Sequence, residues 1–416
     1  MKKRENLVEQ LAKKGICAVC KGTKMLCGKS ECPLLVRYYS MLKTKKNLKK
    51  DIYGSSPPGV FVGRYGYPKV NVGPLVPPEI GDTEYMDMPQ FWIDMSVKEF
   101  AEMRTSLVRG MKKINVNEAK DPSYFLLSLQ ELSMADRHVD SEVSFEKVPQ
   151  GRVLVGSEVQ PFGPAGKLKR LEHDNVRVNS KLERIYYDEI PAKDAIIELY
   201  KEGLNVSLIQ RAFSMGTMGI ERKIVPTRWS ITAVDDTLSK ELVNKVKGFP
   251  IIEQPLVFKS YKMGNLFLVI FLPRSWSYEL VEAWCPGTLW NPYGKRTFMV
   301  SSHEFYGGRR KYAEIGGCYY AARLAVSEKL VEMKRQAEVI VLREAQPDYI
   351  MPVGVWHVRE NVRNAMRSEP LKFDTEMEAV NYALSQFHIR RDAWFKGSTL
   401  LQRFAYQRRL EDFEVH

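Results

Sequence analysis

The sequence predicts a mixed α/β protein with a small four-cysteine zinc-binding module at its amino terminus and a flexible tail at its carboxy terminus. Between residues 222 and 367, short apolar runs typical of strands alternate with helical stretches. The composition, 44% hydrophobic and 11% aromatic, belongs to a folded globular protein. Four cysteines lie close together near the amino terminus. These observations set a basic metal module apart from a mixed α/β core.

Individual segments support the mixed core. Strands are predicted at 231–234, 266–272 and 339–342, and helices at 238–247, 277–284 and 319–336. Residues 60–72 predict a strand, a turn marked by Gly and Pro, and a second strand. Two short helices across Gly203, within residues 192–214, have the outline of a helix-turn-helix with a recognition segment at 207–211. Such outlines also occur in proteins that do not bind DNA, so both interpretations stay open.

The 416 residues are long enough for more than one compact region. We predict a basic zinc-binding module at 1–50, a core at 51–395 that divides into subdomains 60–220 and 221–395, and a tail at 396–416. Residues 42–59 are rich in Lys and then in Gly, Ser and Pro, which predicts a linker and a core that starts near Val60. The sequence has neither a membrane-length apolar run nor a secretory signal, which predicts a cytoplasmic protein.

The positive charge is concentrated in the first fifty residues. They hold 14 Lys and Arg against three Glu, a net charge of +11 out of +13 for the chain. A concentrated positive field attracts phosphate backbones, because each neutralised phosphate releases counterions. A solvated basic surface is the alternative. The adjacent cysteines favour nucleic acid.

Cys17, Cys20, Cys27 and Cys32 have the spacing of a structural zinc site. The pattern is Cys-x2-Cys, six residues, then Cys-x4-Cys, with Gly22 and Gly28 at positions for tight turns. Two close pairs of thiolates can surround one tetrahedral zinc ion, and four protein ligands leave no open position for a catalytic water. Free or redox-active cysteines are the alternative, while a disulfide framework does not suit a cytoplasmic chain.

Two further groups of polar residues are candidate sites. Arg64, Tyr65, Tyr67 and Lys69 in the predicted hairpin alternate cations with aromatic rings, which suits phosphates and stacked bases. An ordinary strand pair with exposed side chains is the alternative.

Asp235, Asp236 and Arg228 are the catalytic candidates. The two acids follow the predicted strand at 231–234, where adjacent carboxylates can hold a second divalent cation of unknown identity against a phosphate. Asp236 as the cap of the next helix is the alternative. The common phosphate-loop, dinucleotide-binding and hydrolase motifs are absent from the sequence, so it does not establish an enzyme.

Four segments together resemble the archaeal NreA family of DNA repair proteins. They are the four-cysteine amino terminus, residues 60–74 (VFVGRYGYPKVNVGP), residues 225–237 (VPTRWSITAVDDT) and residues 317–326 (GCYYAARLAV). The likeness spans nearly the whole chain. It implies a repair role in an archaeal cytoplasm, in association with the nucleoid, with DNA and the sliding clamp PCNA as partners. It implies no catalytic mechanism.

The resemblance also implies a clamp-binding motif at the carboxy terminus. Such motifs have the form Gln-x-x-aliphatic-x-x-aromatic-aromatic, and Gln407, Leu410 and Phe413 match the first three defined positions. Glu414 stands where the second aromatic residue belongs, which weakens the match. Leu410 and Phe413 share one face of a helical turn and suit a hydrophobic pocket. The alternative is the last turn of a helix that packs on the protein's own core.

The leading hypothesis is therefore a DNA repair factor that binds DNA and is tethered to PCNA by its tail. A metal-dependent nuclease or a nucleotide-processing enzyme of DNA repair is the second hypothesis. An RNA-binding or translation-associated zinc protein is the third. Convergence of Arg64, Arg228 and Asp235 in one cleft would favour chemistry or nucleotide binding, and their dispersal would favour a scaffold.

Overall fold

A computed structural model describes residues 19–151, 160–174, 176–288, 291 and 296–406. The chain divides into two compact units. The first unit comprises residues 31–238 and 351–353, and the second comprises residues 19–30, 239–350 and 354–406. No helix within the described ranges is long and apolar enough to cross a membrane.

The first unit is built on a six-stranded sheet with the strand order β1-β5-β6-β4-β3-β2, in which only β4 and β6 run parallel. Its strands are β1 (Asp51–Ser56), β2 (Val60–Val62), β3 (Lys69–Val76), β4 (Val108–Asn115), β5 (Val139–Phe145) and β6 (Ala165–His173). Its helices are α1 (Pro33–Lys45), α2 (Val97–Ser106), α3 (Tyr124–Ser133), α4 (Ser180–Tyr187), α5 (Ala192–Lys201), α6 (Val206–Ser214) and the start of α7 (Thr227–Val246).

The core of the first unit lies between one face of this sheet and helix α3. Alternate residues of β2 and β3, including Val62, Val70 and Val72, pack with Leu126 and Leu129 of α3. Residues of a strand alternate between the two faces, so this pattern turns the neighbouring residues of both strands to the opposite face. The packing of α3 therefore decides which hairpin side chains are directed away from the core.

The second unit has its own six-stranded sheet with the order β10-β9-β11-β8-β7-β12, in which only β9 and β11 run parallel. Its strands are β7 (Leu256–Lys262), β8 (Asn265–Leu272), β9 (Ser277–Trp284), β10 (Phe298–Glu304), β11 (Glu338–Ala345) and β12 (Leu371–Lys372). Its helices after α7 are α8 (Gly317–Met333), α9 (Trp356–Arg367), α10 (Glu376–Ser385), α11 (Arg391–Gly397) and α12 (Thr399–Tyr406).

Helices cover both faces of the second sheet. Phe267, Val339 and neighbours on one face pack with residues of α8 and α9. Leu268, Ile340 and neighbours on the other face pack with residues of α10 and α12. All residues of β8, β9 and β11 are consequently buried, including four glutamates and an arginine. A buried charge is costly unless it is paired and hydrogen-bonded, so these positions depend on specific partners.

The carboxylate of Glu304, at the end of β10, is the centre of one such buried network. It accepts hydrogen bonds from Trp276 Nε1 at 3.1 Å, from the Tyr319 hydroxyl at 2.9 Å and from Arg323 Nη1 at 2.7 Å. Arg323 Nε also donates to Ser239 Oγ at 3.1 Å. All of these side chains are nearly inaccessible to solvent. The network joins β10 to α8 and to the second half of α7.

Several predicted elements are confirmed. The hairpin at 60–72 forms as β2 and β3, paired antiparallel with Val60 opposite Pro74. The strands at 266–272 and 339–342 lie within β8 and β11, and the helices at 238–247 and 319–336 correspond to the end of α7 and to α8. The two short helices at 192–214 are α5 and α6, separated by Gly203 in a left-handed conformation (φ +82°). The mixed α/β class is therefore correct.

Two predicted elements are wrong in type. Residues 231–234 lie inside the 20-residue helix α7 and not in a strand, and residues 277–284 form strand β9 and not a helix. Helix α7 begins directly after Pro226, and a proline at such a place is a helix-start signal. The Pro226 carbonyl accepts hydrogen bonds from Trp229 N–H and Ser230 N–H. A short apolar run does not by itself distinguish a strand from a buried helix segment.

Two predicted irregular segments contain regular structure. The proposed linker at 42–59 includes β1, which pairs with β5 from Asp51 to Ser56. The proposed tail at 396–416 includes α12, with Leu400 and Leu401 buried. Glu279 of β9 holds the start of this helix, because its carboxylate accepts hydrogen bonds from Ser398 Oγ and from the N–H groups of the next two residues. Residues 407–416 lie outside the described residues.

Candidate nucleic-acid interface

Most side chains of the loop between β2 and β3 are exposed to solvent, and that of Arg64 is half-buried. Tyr65 is 76% exposed and Tyr67 is 51% exposed, and Lys69 is exposed as well. Gly66 has φ +86°, and a Cβ atom there would lie 2.8 Å from the Lys69 carbonyl oxygen, so the turn requires glycine. Arg64 lies over the Tyr65 ring at 5.2 Å from its centroid. The sequence-predicted group is thus brought together at one turn.

The start of α7 joins this turn from more than 150 residues along the chain. Val62 N–H donates a hydrogen bond to Thr227 Oγ1 at 3.0 Å. The rings of Tyr67 and Trp229 pack with centroids 5.5 Å apart. Trp229 is still 46% exposed, and Arg228 beside it is exposed. We call the following six residues the hairpin patch: Arg64, Tyr65, Tyr67, Lys69, Arg228 and Trp229.

Strand β4 adds a further cation next to the hairpin patch. Asn71 of β3 pairs with Lys113 of β4, so the Lys113 side chain projects from the same face of the sheet as Lys69. Lys113 is exposed. The cations can bind phosphates, and the exposed rings beside them can stack on bases. Each stacked base contributes about 1–3 kcal/mol to binding. The sequence pointed to the hairpin residues but gave no signal that Trp229 and Lys113 lie next to them.

Asp235 and Asp236 do not lie at a strand end. Both are interior residues of α7, where adjacent side chains point about 100° apart around the helix axis and do not face one ion. Asp235 is fully buried, and its Oδ1 accepts a hydrogen bond from Gln210 Nε2 at 2.7 Å. Arg228 is seven residues before Asp235, about 10 Å along the helix. The predicted cation site at a strand end is therefore wrong in its geometry, and the catalytic roles of these residues stay predictions.

Helix α6 is not displayed as a recognition helix. Gln210 bonds to Asp235, and the Arg211 guanidinium donates to the Ser133 and Ala135 carbonyl oxygens and contacts Asp87 at 3.2 Å. Both side chains are buried. Their polar groups form hydrogen bonds inside the first unit. At these two positions, α6 therefore contributes to packing and does not face a ligand.

Within the described residues, one group of three side chains has metal-ligating atoms within 4.8 Å of one another: Asp82, Glu84 and His138. Carboxylates and an imidazole together suit a divalent cation. Hydrogen bonds within the group also account for its closeness, since Glu84 accepts from His138 N–H and Asp82 accepts from Glu84 N–H. The spacing of these residues along the sequence carries no recognisable signal.

The segment from Cys20 to Gly28 forms a series of tight turns. Lys21, Gly22, Met25 and Gly28 all have positive φ, and the N–H groups of Thr23 and Lys24 donate to the Cys20 carbonyl. The N–H group of Leu26 and those of three neighbours lower the pKa of the Cys20 thiol against the opposing effect of desolvation. This surrounding favours a thiolate, the form that binds zinc.

The other predicted zinc ligands are less completely described. Cys17 lies outside the described residues, and Cys27 and Cys32 are partly buried. Among the described residues, Cys20, Cys27 and Cys32 do not form a group with mutually close sulfur atoms. The zinc site therefore stays a prediction.

Comparison with known proteins gives the relationship of the chain. The family model described as "Archaeal Nre, N-terminal" matches residues 26–291, and the family model described as "Archaeal Nre, C-terminal" matches residues 304–413. The chain belongs to the archaeal Nre family. This Nre chain is 41% identical over 399 residues to the DNA repair protein NreB of Archaeoglobus fulgidus. The alignment covers 95% of the chain and 99% of the relative. The predicted resemblance is confirmed.

Two further relatives of this Nre chain are named DNA repair protein NreA. The one from Archaeoglobus fulgidus is 37% identical over 88% of the chain and 92% of the relative. The one from Haloferax volcanii is 35% identical over 79% of the chain and 81% of the relative. No solved structure matches the chain. The match at 304–413 includes Gln407, Leu410 and Phe413, which lie outside the described residues.

Proposed function

We propose that this Nre chain is a DNA repair factor that binds DNA through the hairpin patch and is tethered to the sliding clamp PCNA by its last residues. The names of its relatives support the repair role. The observation that carries DNA binding is the exposure of three aromatic rings beside four cations, Arg64, Lys69, Lys113 and Arg228. Phosphate contacts would supply affinity for any sequence, and the rings would favour unpaired bases.

The rings of the hairpin patch give the first test. Replacing Tyr67 and Trp229 together by alanine is expected to weaken binding of single-stranded DNA by about 10-fold or more, because two stacking surfaces are removed. Fluorescence anisotropy with a labelled oligonucleotide measures the effect. The matched control is Tyr187→Ala, which removes a ring that is 77% exposed in the same unit. Equal affinities for the double variant and the control would contradict the assignment.

The cations give an independent readout on the same surface. The readout is the salt slope, which is the steepness with which the logarithm of the binding constant falls as the logarithm of the salt concentration rises. In the variant Arg64→Ala/Lys69→Ala, the salt slope of single-strand binding should decrease by about 0.7 for each phosphate that the protein no longer neutralises. Lys201→Ala, a change at an exposed lysine on α5, is the control. An unchanged salt slope would show that these cations do not bind phosphates.

The helix before the clamp motif supports the proposed tether. Residues 407–413 directly follow α12, whose first turn is held by the buried carboxylate of Glu279. A carboxylate at a helix amino terminus accepts hydrogen bonds from the free N–H groups, and its negative charge interacts favourably with the positive end of the helix dipole. The motif would therefore extend from an anchored helix, and Leu410 and Phe413 would fill a hydrophobic pocket on the clamp.

Clamp binding is tested with the full chain and PCNA. Phe413→Ala removes the main apolar anchor and should reduce affinity by about 30-fold or more, as truncation of a central aromatic residue commonly costs about 2 kcal/mol or more. Glu414→Phe should strengthen binding by supplying the second aromatic residue. Tyr406→Ala is the control, since this ring is 83% exposed and precedes the motif. Calorimetry that shows no weakening for Phe413→Ala would refute the tether.

The amino-terminal zinc module is the third part of the proposal. A structural zinc ion held by Cys17, Cys20, Cys27 and Cys32 would order a segment in which lysine and arginine greatly outnumber acids. The N–H groups around Cys20 support this role. The module would add a sequence-independent electrostatic contribution to DNA binding.

A further inference from the structure

A second cationic and aromatic surface lies in the second unit, on the loop that connects β10 to α8. Three rings of this loop are exposed: Phe305 by 43%, Tyr306 by 51% and Tyr312 by 64%. Arg310 and Lys311 lie between them in the sequence and are exposed too. No motif in the sequence marks these residues. We call the segment from Phe305 to Tyr312 the arginine loop.

One arginine fixes the shape of the arginine loop. Arg309 Nη1 donates to the His303 carbonyl oxygen at 2.7 Å, and its Nη2 donates to Glu314 Oε2 at 2.8 Å. Three hydrogen bonds to the Glu314 carboxylate lower its pKa to about 2. The largest effect comes from the Ser302 hydroxyl, and smaller ones come from the Glu314 N–H group and from Arg309. The loop also turns at Gly308, which has φ +76° and donates to the Phe305 carbonyl. The surface is therefore organised before any ligand binds.

This arrangement leaves the neighbouring cations available to a ligand. Arg309 neutralises Glu314, while the side chains of Arg310 and Lys311 make no ion pair with any residue that the structure describes. An exposed cation without a carboxylate partner keeps its full attraction for a phosphate, because no internal pair has to be broken.

Two cations from elsewhere in the second unit support the rings. Lys247 Nζ lies 4.9 Å from the centroid of the Tyr306 ring, and Arg403 Cζ lies 5.4 Å from that of Phe305. These contacts hold both rings at the surface and add positive charge beside them. Rings flanked by cations are the arrangement that binds the bases and the backbone of a single strand.

We propose that the arginine loop is a second DNA site, which binds unpaired nucleotides of single-stranded DNA. Tyr306 and Phe305 would stack on bases, while Arg310 and Lys311 would contact the phosphates between them. In a duplex, stacking between neighbouring base pairs buries the faces of the bases, so exposed rings favour a single strand, whereas cations alone would not discriminate. This inference rests on the proposed DNA-binding function but uses residues of a different unit from the hairpin patch.

The test compares single-stranded and double-stranded forms of one labelled oligonucleotide, with the full chain. The variant Tyr306→Ala/Arg310→Ala/Lys311→Ala should bind the single strand about 10-fold more weakly or worse, with a smaller effect on the duplex. Its salt slope on the single strand should fall by about 1.4, for two phosphates. The control variant Tyr261→Ala/Arg367→Ala/Lys372→Ala removes one exposed ring and two exposed cations elsewhere in the same unit.

The outcomes separate this inference from the proposed function. Weakened binding in the hairpin-patch variant, with wild-type affinity in the arginine-loop variant, would overturn the second site and leave the function standing. Equal effects on the single strand and the duplex would overturn the preference for unpaired bases. If the unmodified chain binds neither form, both proposals fail.

A second measurement does not depend on how a variant folds. Photocrosslinking of the unmodified chain to bromodeoxyuridine-substituted single strands, followed by mass spectrometry, should give adducts within residues 305–312. Adducts confined to other peptides would overturn the site.

Discussion

Replacement of Cys17 and Cys20 by serine should release one zinc ion per chain and unfold the segment around the cysteines. The binding free energy of a structural zinc site, about 10–16 kcal/mol in small zinc-binding peptides, is folding free energy, and removal of two of the four ligands abolishes most of it. Metal analysis of the purified protein, together with limited proteolysis of the amino-terminal region, measures both effects. We expect cleavage after lysines before residue 31 while the rest of the chain stays intact.

The matched control for this experiment is Cys285→Ser. Burial raises the pKa of the Cys285 thiol to about 11, so this residue stays protonated and is a poor metal ligand. The control should keep its full zinc content. Retention of one zinc ion by the double variant would refute the four-cysteine site, and release of zinc from the control would place a ligand elsewhere.

Replacement of Glu304 by alanine should destabilise the second unit by about 3–5 kcal/mol, because Arg323 would remain buried without its carboxylate partner. The change also removes the acceptor for Trp276 Nε1 and the Tyr319 hydroxyl. A destabilisation of this size is a large fraction of the free energy of unfolding of a typical domain. Urea denaturation followed by circular dichroism measures the shift.

Two comparisons separate the effect of burial from that of charge. Glu332→Ala breaks an exposed pair with Lys329 on α8 and should cost about 0.5 kcal/mol or less. The double variant Glu304→Leu/Arg323→Met should recover the part of the stability that the unpaired arginine costs, because apolar replacement of a whole buried ion pair is often neutral, while Trp276 Nε1 and the Tyr319 hydroxyl still lack their acceptor. Similar destabilisation by Glu304→Ala and Glu332→Ala would show that the buried network contributes little.

The hairpin patch shows how far local patterns could lead. The strand, turn and strand at 60–72 follow from alternating apolar residues around Gly and Pro, so four of the six patch residues could be selected from the sequence. Trp229 could not, because its position beside Tyr67 depends on the hydrogen bond between Val62 and Thr227. The same long-range packing placed Asp235 in the interior against Gln210, which removed it from the surface where the sequence had suggested chemistry.

By itself the sequence determined the mixed α/β class, the strands β8 and β11, the helix α8 and the concentration of charge near the amino terminus. These properties depend on composition and on the period of apolar residues over neighbouring positions, which is local information. Only the tertiary structure decided that 277–284 is a strand. Its glutamates Glu279 and Glu282 are buried because Ser398 and Arg343, each more than 60 residues away, supply their partners. Partners at such distances decide whether a charged residue is buried or exposed, and no local pattern records them.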